Sequence, residues 1–440
     1  MKRLSVAMVV ASPFPANHGT PGSIREMAES LEKRGHKIHI VTYHIQQEIP
    51  VNGLKIHRIP ALFNHQKVSV GPTRQKIFWD MLLAMKLCKV IKRENCDLIH
   101  AHNYEGAIAG YIAKLITGRP MIYNAVNTMI DELPSYNFFR PKFIARMLAR
   151  SLDYTVPKMA DHIIAISREL LLFLKDKVEL EKISMIPLGI DPMPFQGIAP
   201  NIIRERYGIG SKPIIIYTGT IDKFQRIDYL IRAMKMVISY RKDPILLIVA
   251  NIIDDDALKE LKGLAMELNI EKNVIFTDEM PSKDIPYYLA AADIAVAPRP
   301  SCPGFPVKLL NYMAAGKAIV TFAGSAKGLR DEENAIIVED HDYEGMGKGI
   351  INLLTQPEFA RRLGEKARRF VNENFCLSTI SKKINDVYSI AMQSISATKP
   401  IFYERRQRVV LSSIPDRRGY ERRKSIIPID FPERRKVVSW

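Results

Sequence analysis

The run Leu4–Val10 is apolar and rich in β-branched residues, and a second such run follows at Lys37–Thr42. Between them Ile24, Met27, Ala28 and Leu31 recur at helical spacing, and Gly35 stands where a helix commonly closes. Unbroken apolar strands, rather than alternating ones, point to strands buried on both faces. The order strand–helix–strand then calls for a parallel sheet.

The alternation continues. Strands are expected at 97–101, 120–123, 162–166 and 183–187, with a long helix over 75–93. After a break near 189–211 it resumes, with strands at 213–217, 245–250, 273–276, 294–297 and 318–322. A helical stretch over 359–395 ends the globular part. The expected fold class is α/β, two Rossmann-like domains facing a central cleft and followed by a basic C-terminal tail. Its expected boundaries are 1–190, 191–375, a C-terminal helix 376–398 and the tail 399–440.

Composition adds little to this but removes several classes. The chain is 47% hydrophobic and 25% charged, ordinary values for a globular protein. No stretch approaches the ~18 apolar residues of a membrane span, and Met1–Val10 is too short for a secretory leader before the turn Ala11-Ser12-Pro13-Phe14-Pro15. Four cysteines lack metal-ligand spacing, so the expectation is a soluble, cytoplasm-facing chain without an essential metal.

Charge changes the picture more. The net charge is +17, and residues 399–440 hold twelve Lys/Arg against five Asp/Glu. Such a balance suits an anionic membrane, a phosphorylated ligand or a nucleic acid.

Phosphate-suited chemistry stands at several strand-to-helix junctions. Gly304 and Phe305 precede a helix whose first turn holds Pro306, Val307 and Lys308; the free amides of that turn suit an anion, and a plain strand–helix junction with a solvated lysine is the other reading. Gly219 and Thr220 follow a strand at the edge where open α/β sheets bind ligands, with Arg226 in the same loop. Gly19, Thr20 and Gly22 form a corresponding loop near the start. His100, His102 and Glu105 lie at a strand's carboxyl end, facing the expected cleft; each histidine is either a reacting group or a hydrogen-bonded structural one. The triplet Asp254-Asp-Asp256 precedes a helical run and reads as a cap rather than a metal motif.

Four landmarks in order carry a family resemblance: Lys33-Arg-Gly-His-Lys-Ile38 after the first glycine loop; Ile186-Pro-Leu-Gly-Ile-Asp191; Tyr217-Thr-Gly219 leading to Ile227–Ala233; and Pro303–Lys317. Over roughly residues 4–396 the chain resembles the GT-B glycosyltransferases, specifically family 4. The resemblance implies retaining transfer of a sugar from a nucleoside diphosphate donor to a glycan, lipid-linked or small-molecule acceptor, without cofactor or metal. It implies donor contacts at Gly219, Thr220, Gln225, Gly304, Phe305, Pro306, Val307 and Asn311, and an acceptor-side role for Gly19, Thr20, Gly22 and Asn127. Arg226, Lys308 and His102 are the residues expected to carry the reaction.

The chain departs from the family pattern at several positions. Pro303 and Asn311 stand where two glutamates are usual, Thr220 and Gln225 where an arginine and a lysine are usual, and Val126 where a histidine is usual. Asn311 can still bond a ribose hydroxyl, and Arg226 and Lys308 can supply positive charge. Two other readings stand beside an active enzyme: a binding-only relative, and a membrane- or polymer-associated scaffold acting through the tail.

Two basic features lie outside this site. Over 138–152, apolar residues 143, 144, 147, 148 and 152 accompany a basic stripe of Lys142, Arg146 and Arg150. It reads as an interfacial helix for anionic lipid or as an ordinary helix with its apolar side on the sheet. In the tail, Glu404–Arg418 repeats without gaps at Glu421–Arg435, as acidic-Arg-Arg triplets suited to phosphates or carboxylates. With few aromatic residues between the arginines, nucleic acid is the weaker partner class.

Overall fold

The computed structural model describes residues 3–15, 19–45, 51, 53–61, 73–135, 141–300 and 306–398. Gly304, Phe305 and the 399–440 tail, singled out above from the sequence, lie outside these residues.

Two parallel sheets form. The first comprises β1 (Ser5–Val10), β2 (Lys37–Thr42), β3 (Lys55–Arg58), β4 (Leu98–His102), β5 (Met121–Ala125), β6 (His162–Ala165) and β7 (Ile183–Met185). The second comprises β8 (Ile214–Ile221), β9 (Ile245–Ile253), β10 (Val274–Phe276), β11 (Ile294–Ala297), β12 (Ala318–Phe322) and β13 (Ile336–Val338). Their orders are β3-β2-β1-β4-β5-β6-β7 and β10-β9-β8-β11-β12-β13. Each order reverses once, between β1 and β4 and between β8 and β11. Doubly wound sheets open a ligand crevice at such a reversal. The strands that flank both reversals are buried along almost their whole length, as their unbroken apolar runs require.

Helices cover both faces of each sheet. On the first sheet, Gly19–Lys33 and Leu377–Thr398 share one face, where Ile24, Ala28, Ile384 and Tyr388 pack with Val6 and Met8. Helices Arg74–Arg93 and Asn103–Thr117 lie on the opposite face, and Lys142–Thr155 packs against Met129–Glu132, Leu133–Ser135 and Pro157–Met159. The C-terminal helix therefore returns to the half that begins the chain. It is fastened there by His36 Nε2 and Asn385 Oδ1 at 3.0 Å and by a 2.7 Å bond from Arg34 Nε to Ser381 Oγ.

The two connections between the halves run side by side. Ile190 bridges Cys376, its amide donating to Phe375 at 2.8 Å and its carbonyl accepting from Leu377 at 3.0 Å. Gly189 allows this approach: a Cβ there would stand 2.7 Å from Leu377 Cδ2.

Some details depart from expectation. Gly19, Thr20 and Gly22 belong to the first turns of Gly19–Lys33 rather than to a loop, because Pro21 is tolerated where no amide donor is needed. Gly219 and Thr220 lie within the end of β8, where the register to β9 shifts, rather than after the strand. β3 and β13 are additional strands. The Asp254 reading holds: its carboxylate accepts from the Ala257 amide at 2.9 Å and caps Asp255–Glu267.

Candidate functional site

At the reversal in the second sheet, β8 and β11 pair at only two positions, Ile294↔Ile215 and Ala295↔Ile216. Beyond these, the fully buried Tyr312 takes over the hydrogen bonding. Its hydroxyl accepts from Thr218 N at 2.8 Å and donates to Val296 O at 3.5 Å. A phenol from helix Val307–Ala314 thus spans the gap between the two strands. It fixes that helix against the carboxyl end of β8.

This anchoring places Lys308. Its ammonium donates to Tyr217 Oη at 2.9 Å and to Gln225 Oε1 at 2.8 Å. Gly219 has φ 140°, and a Cβ on it would stand 2.9 Å from Lys308 Nζ. Only glycine accommodates both the conformation and the ammonium. Tyr217 in turn donates to Thr220 O at 2.7 Å, and burial pushes its own ionisation well above the ordinary tyrosine range. The result is a fixed positive charge at the carboxyl edge of a sheet and in the first turn of a helix. An anion there gains from both the charge and the helix amides.

The other expected donor-side residues are arranged around this core. Thr220 Oγ1 meets Asn251 Oδ1 at 3.3 Å, and Pro306 occupies the cap position of Val307–Ala314 with Val307 first in the helix. Asn311 lies one turn beyond Lys308 and is half-buried. Arg226 is placed differently. It adopts a left-handed φ of 53°, and its guanidinium makes a fork with Asp228, Nε to Oδ1 and Nη2 to Oδ2 both at 2.9 Å, while stacking 3.8 Å over Tyr229. Its charge is matched within its own loop. A neighbouring groove of 470 Å³ is lined by Asp222, Asp254, Asp256 and Glu260 against Lys223 and Lys259, the wrong balance for a diphosphate.

In the first half, the carboxyl ends of β1 and β4 are level, with Val10 opposite His102. His102 does not face an open cleft as expected. It is fully buried, its ring 4.3 Å from that of His100, and its Nδ1 meets Asn124 Nδ2 at 3.3 Å. The reason is the helix Leu377–Thr398: Tyr388 lies over this face and its hydroxyl meets His100 Nδ1 at 2.8 Å. Burial lowers the pKa of His100 to about 3 and that of His102 well below the ordinary value, so both rings are neutral. Three buried atoms, His100 Nε2, His102 Nε2 and Asn124 Oδ1, have no hydrogen-bond partner among the described residues. Such orphans are rare and mark a place for water or a ligand group. Asn127 is held through its side chain by Glu132.

Sequence reasoning gave no role in a site to the side chains of Tyr217, Tyr312, Asn124 and Glu26. Tyr217 had a visible signal, a polar-tipped ring inside an aliphatic strand. Glu26, on Gly19–Lys33, is raised to about 7, first by burial, with the charges of Glu29 and Asp191 adding to it and Arg25 opposing. The described residues also contain one grouping of metal-ligand type, His39, His57 and Glu94, with His39 Nδ1 and His57 Nε2 at 3.2 Å. It lies partway along β2 and β3, and Arg93 reaches His57 Nδ1 at 3.3 Å.

With two doubly wound sheets and a basic helix-start site on the second, the comparisons with known proteins take on meaning. Residues 19–193 match the model of Glycosyltransferase Family 4, and residues 201–370 match that of glycosyl transferases group 1. The chain belongs to the GT-B glycosyltransferases of group 1. This glycosyltransferase is 24% identical over 394 residues to N-acetyl-alpha-D-glucosaminyl L-malate synthase of Bacillus anthracis, covering 86% of this chain and 95% of that one. It shares its fold with sucrose-phosphate synthase from Thermosynechococcus elongatus, at TM-score 0.72 and 19% identity over 90% of this chain and all of that one. It also shares its fold with Anabaena Alr3699/HepE in complex with UDP-glucose, at TM-score 0.67 and 16% identity over 88% of this chain and all of that one. No helix among the glycosyltransferase's described residues is long and apolar enough to cross a membrane.

Proposed function

We propose that this glycosyltransferase takes its sugar from a nucleoside diphosphate donor bound by residues 191–375. The acceptor, a glycan, a lipid-linked sugar or a small molecule, is held by residues 1–190. The observation that carries this reading is the Lys308 ammonium, fixed by Tyr217 and Gln225 beside Gly219 at the start of a helix. A diphosphate leaving group develops charge as the glycosidic bond breaks. A preorganised cation and helix amides stabilise that charge without reorganising.

In this reading the acceptor enters on the face the diphosphate leaves, so the outcome is retention and no carboxylate need attack the sugar. A metal ion is not required either, since Lys308 and the amides of Val307–Ala314 neutralise the diphosphate. Asn311 is the ribose contact and Thr220 a diphosphate contact. Arg226 joins only if the donor displaces Asp228 from its guanidinium. His102, neutral and buried, acts by orienting Asn124 at the acceptor side rather than by exchanging protons with solvent.

Of the relatives named above, Alr3699/HepE is described in complex with UDP-glucose, which supports a nucleoside diphosphate donor. Calorimetric titration of the full chain with nucleoside diphosphates of each base, with and without a chelator, tests the reading. Binding of one base class, unchanged by the chelator, is expected. No binding by any base overturns it, and binding abolished by the chelator overturns its metal-independent part. Retention is read by NMR of the first product's anomeric proton.

A further inference from the structure

Helix Lys142–Thr155 is inverted relative to an ordinary amphipathic surface helix. Its buried positions are Ala145, Ala149 and Asp153, spaced four apart on one face. Its large apolar residues face outward: Phe143 is 60% and Met147 67% exposed, with Ile144 and Tyr154 beside them. Of the two readings open from the sequence, the apolar side is therefore not on the sheet.

The inversion is held by the buried carboxylate of Asp153. It accepts from the amides of Met129 at 2.8 Å and Ile130 at 3.0 Å and from the hydroxyl of Tyr104. A one-residue rotation of the helix would take that carboxylate from its donors. The orientation is thus built into the fold, not left to side-chain preference.

The neighbouring helix Asn103–Thr117, joined through Tyr104, repeats the arrangement. It buries Gly106, Ala107, Gly110 and Ala113 and leaves Leu115 68% exposed. On Lys142–Thr155 itself Phe143, Ile144, Met147 and Leu148 are all exposed, a cluster rather than scattered surface residues.

Charge identifies what covers it. Lys142, Arg146 and Arg150 are exposed on the same helix, whose single acidic residue is the buried Asp153. At its far end Lys158 stacks 3.2 Å over the Tyr154 ring, and it lines a 360 Å³ pocket together with Lys175, Lys177 and Lys182 against Asp176 and Glu179. Apolar side chains flanked by lysines and arginines match the boundary between acyl chains and anionic headgroups. A second copy of this chain would bring the same basic rims together.

We propose that Lys142–Thr155 is a docking surface for an anionic lipid bilayer, with Phe143 and Met147 entering the acyl boundary and the Lys158–Lys182 pocket taking headgroup phosphates. The surface stands apart from the Lys308 site, so this inference is independent of the donor reading.

The test is co-sedimentation of the full chain with vesicles of phosphatidylglycerol and phosphatidylcholine. It is run at low salt and again at 1 M, where the Debye length is about 3 Å and charge-only attachment through the tail is screened. The wild-type chain is expected to retain binding at 1 M salt to the anionic vesicles. Phe143→Ser/Met147→Ser should lower that partition coefficient at least about tenfold, since two anchors leave the apolar phase. Lys142→Glu/Arg146→Glu/Arg150→Glu should lower the low-salt binding.

Both variants should keep the wild-type melting temperature and nucleotide affinity, which shows that the fold is intact. Failure of the wild-type chain to bind at 1 M salt, or equal partition of wild type and Phe143→Ser/Met147→Ser, overturns the proposal. So does a concentration-dependent dimer in sedimentation velocity that this double variant dissolves while vesicle binding stays the same. That last result assigns the face to a second copy instead.

Discussion

Tyr312 and Thr218 are joined by a 2.8 Å hydrogen bond from the Thr218 amide to the Tyr312 hydroxyl, at the point where β8 and β11 cease to pair. The bond satisfies an amide that has lost its strand partner, and it aligns the helix that carries Lys308. Tyr312→Phe should destabilise the fold by about 1–3 kcal/mol, because the buried Thr218 amide is left without an acceptor. Urea unfolding measures this. A change below about 0.5 kcal/mol would mean that water replaces the phenol at no cost.

Lys308→Ala should weaken nucleoside diphosphate binding by about 1–3 kcal/mol, the range for hydrogen bonds to charged groups. Gly219→Ala should weaken it comparably with Lys308 still present, because the new methyl collides with the ammonium and strains a backbone at φ 140°. Calorimetry on both variants decides the matter. Wild-type affinity in Lys308→Ala removes the residue from the donor site.

Glu26 supplies a pH signature. Its carboxyl is raised from 4.5 to about 7 in the folded chain, so between those values the folded state holds a proton that the unfolded state has released. Stability from this group is complete below pH 4.5 and is lost as pH rises through about 7. Glu26→Gln should therefore stabilise the protein at pH 8, by something on the order of 2 kcal/mol, and leave stability at pH 4 unchanged. Thermal melts of both proteins across this range test it. Equal gains at both pH values would assign the effect to packing.

Asp153→Ala should cost about 2–4 kcal/mol, since it strands the Met129 and Ile130 amides and the Tyr104 hydroxyl. Asp153→Asn should cost less, keeping an acceptor oxygen. Chemical denaturation separates the two. Identical losses would show that the charge and not the acceptor matters.

The sheet-forming runs were legible because strands buried on both faces admit little but aliphatic residues, as in Ile214-Ile-Ile216. β3 was not: Lys55-Ile-His-Arg58 is an edge strand with polar residues at three of its four positions. Gly219 and Lys308 stood out in the sequence as a glycine and a cation at strand-to-helix junctions. Their assembly was not legible, since the bracket of Lys308 by Tyr217 and Gln225 joins residues more than eighty positions apart. The outward face of Lys142–Thr155 was equally hidden. Apolar periodicity reads the large residues as core, whereas here Ala145 and Ala149 are inside and the distant donors to Asp153 decide the rotation.

The return of Leu377–Thr398 to the first sheet has a consequence for synthesis. Met8, Leu98 and Ile164 emerge early from the ribosome, but Ile384, Tyr388 and Ala391, which cover them, are made only after the whole second half. At 5–20 residues per second, the roughly two hundred residues after Ile190 take about 10–40 s. Throughout that interval the nascent chain presents an uncovered aliphatic surface, and the halves are made in a different order from the one in which they become complete. The first half, begun first, is thus the last to be closed, by residues that follow the whole second half in the chain.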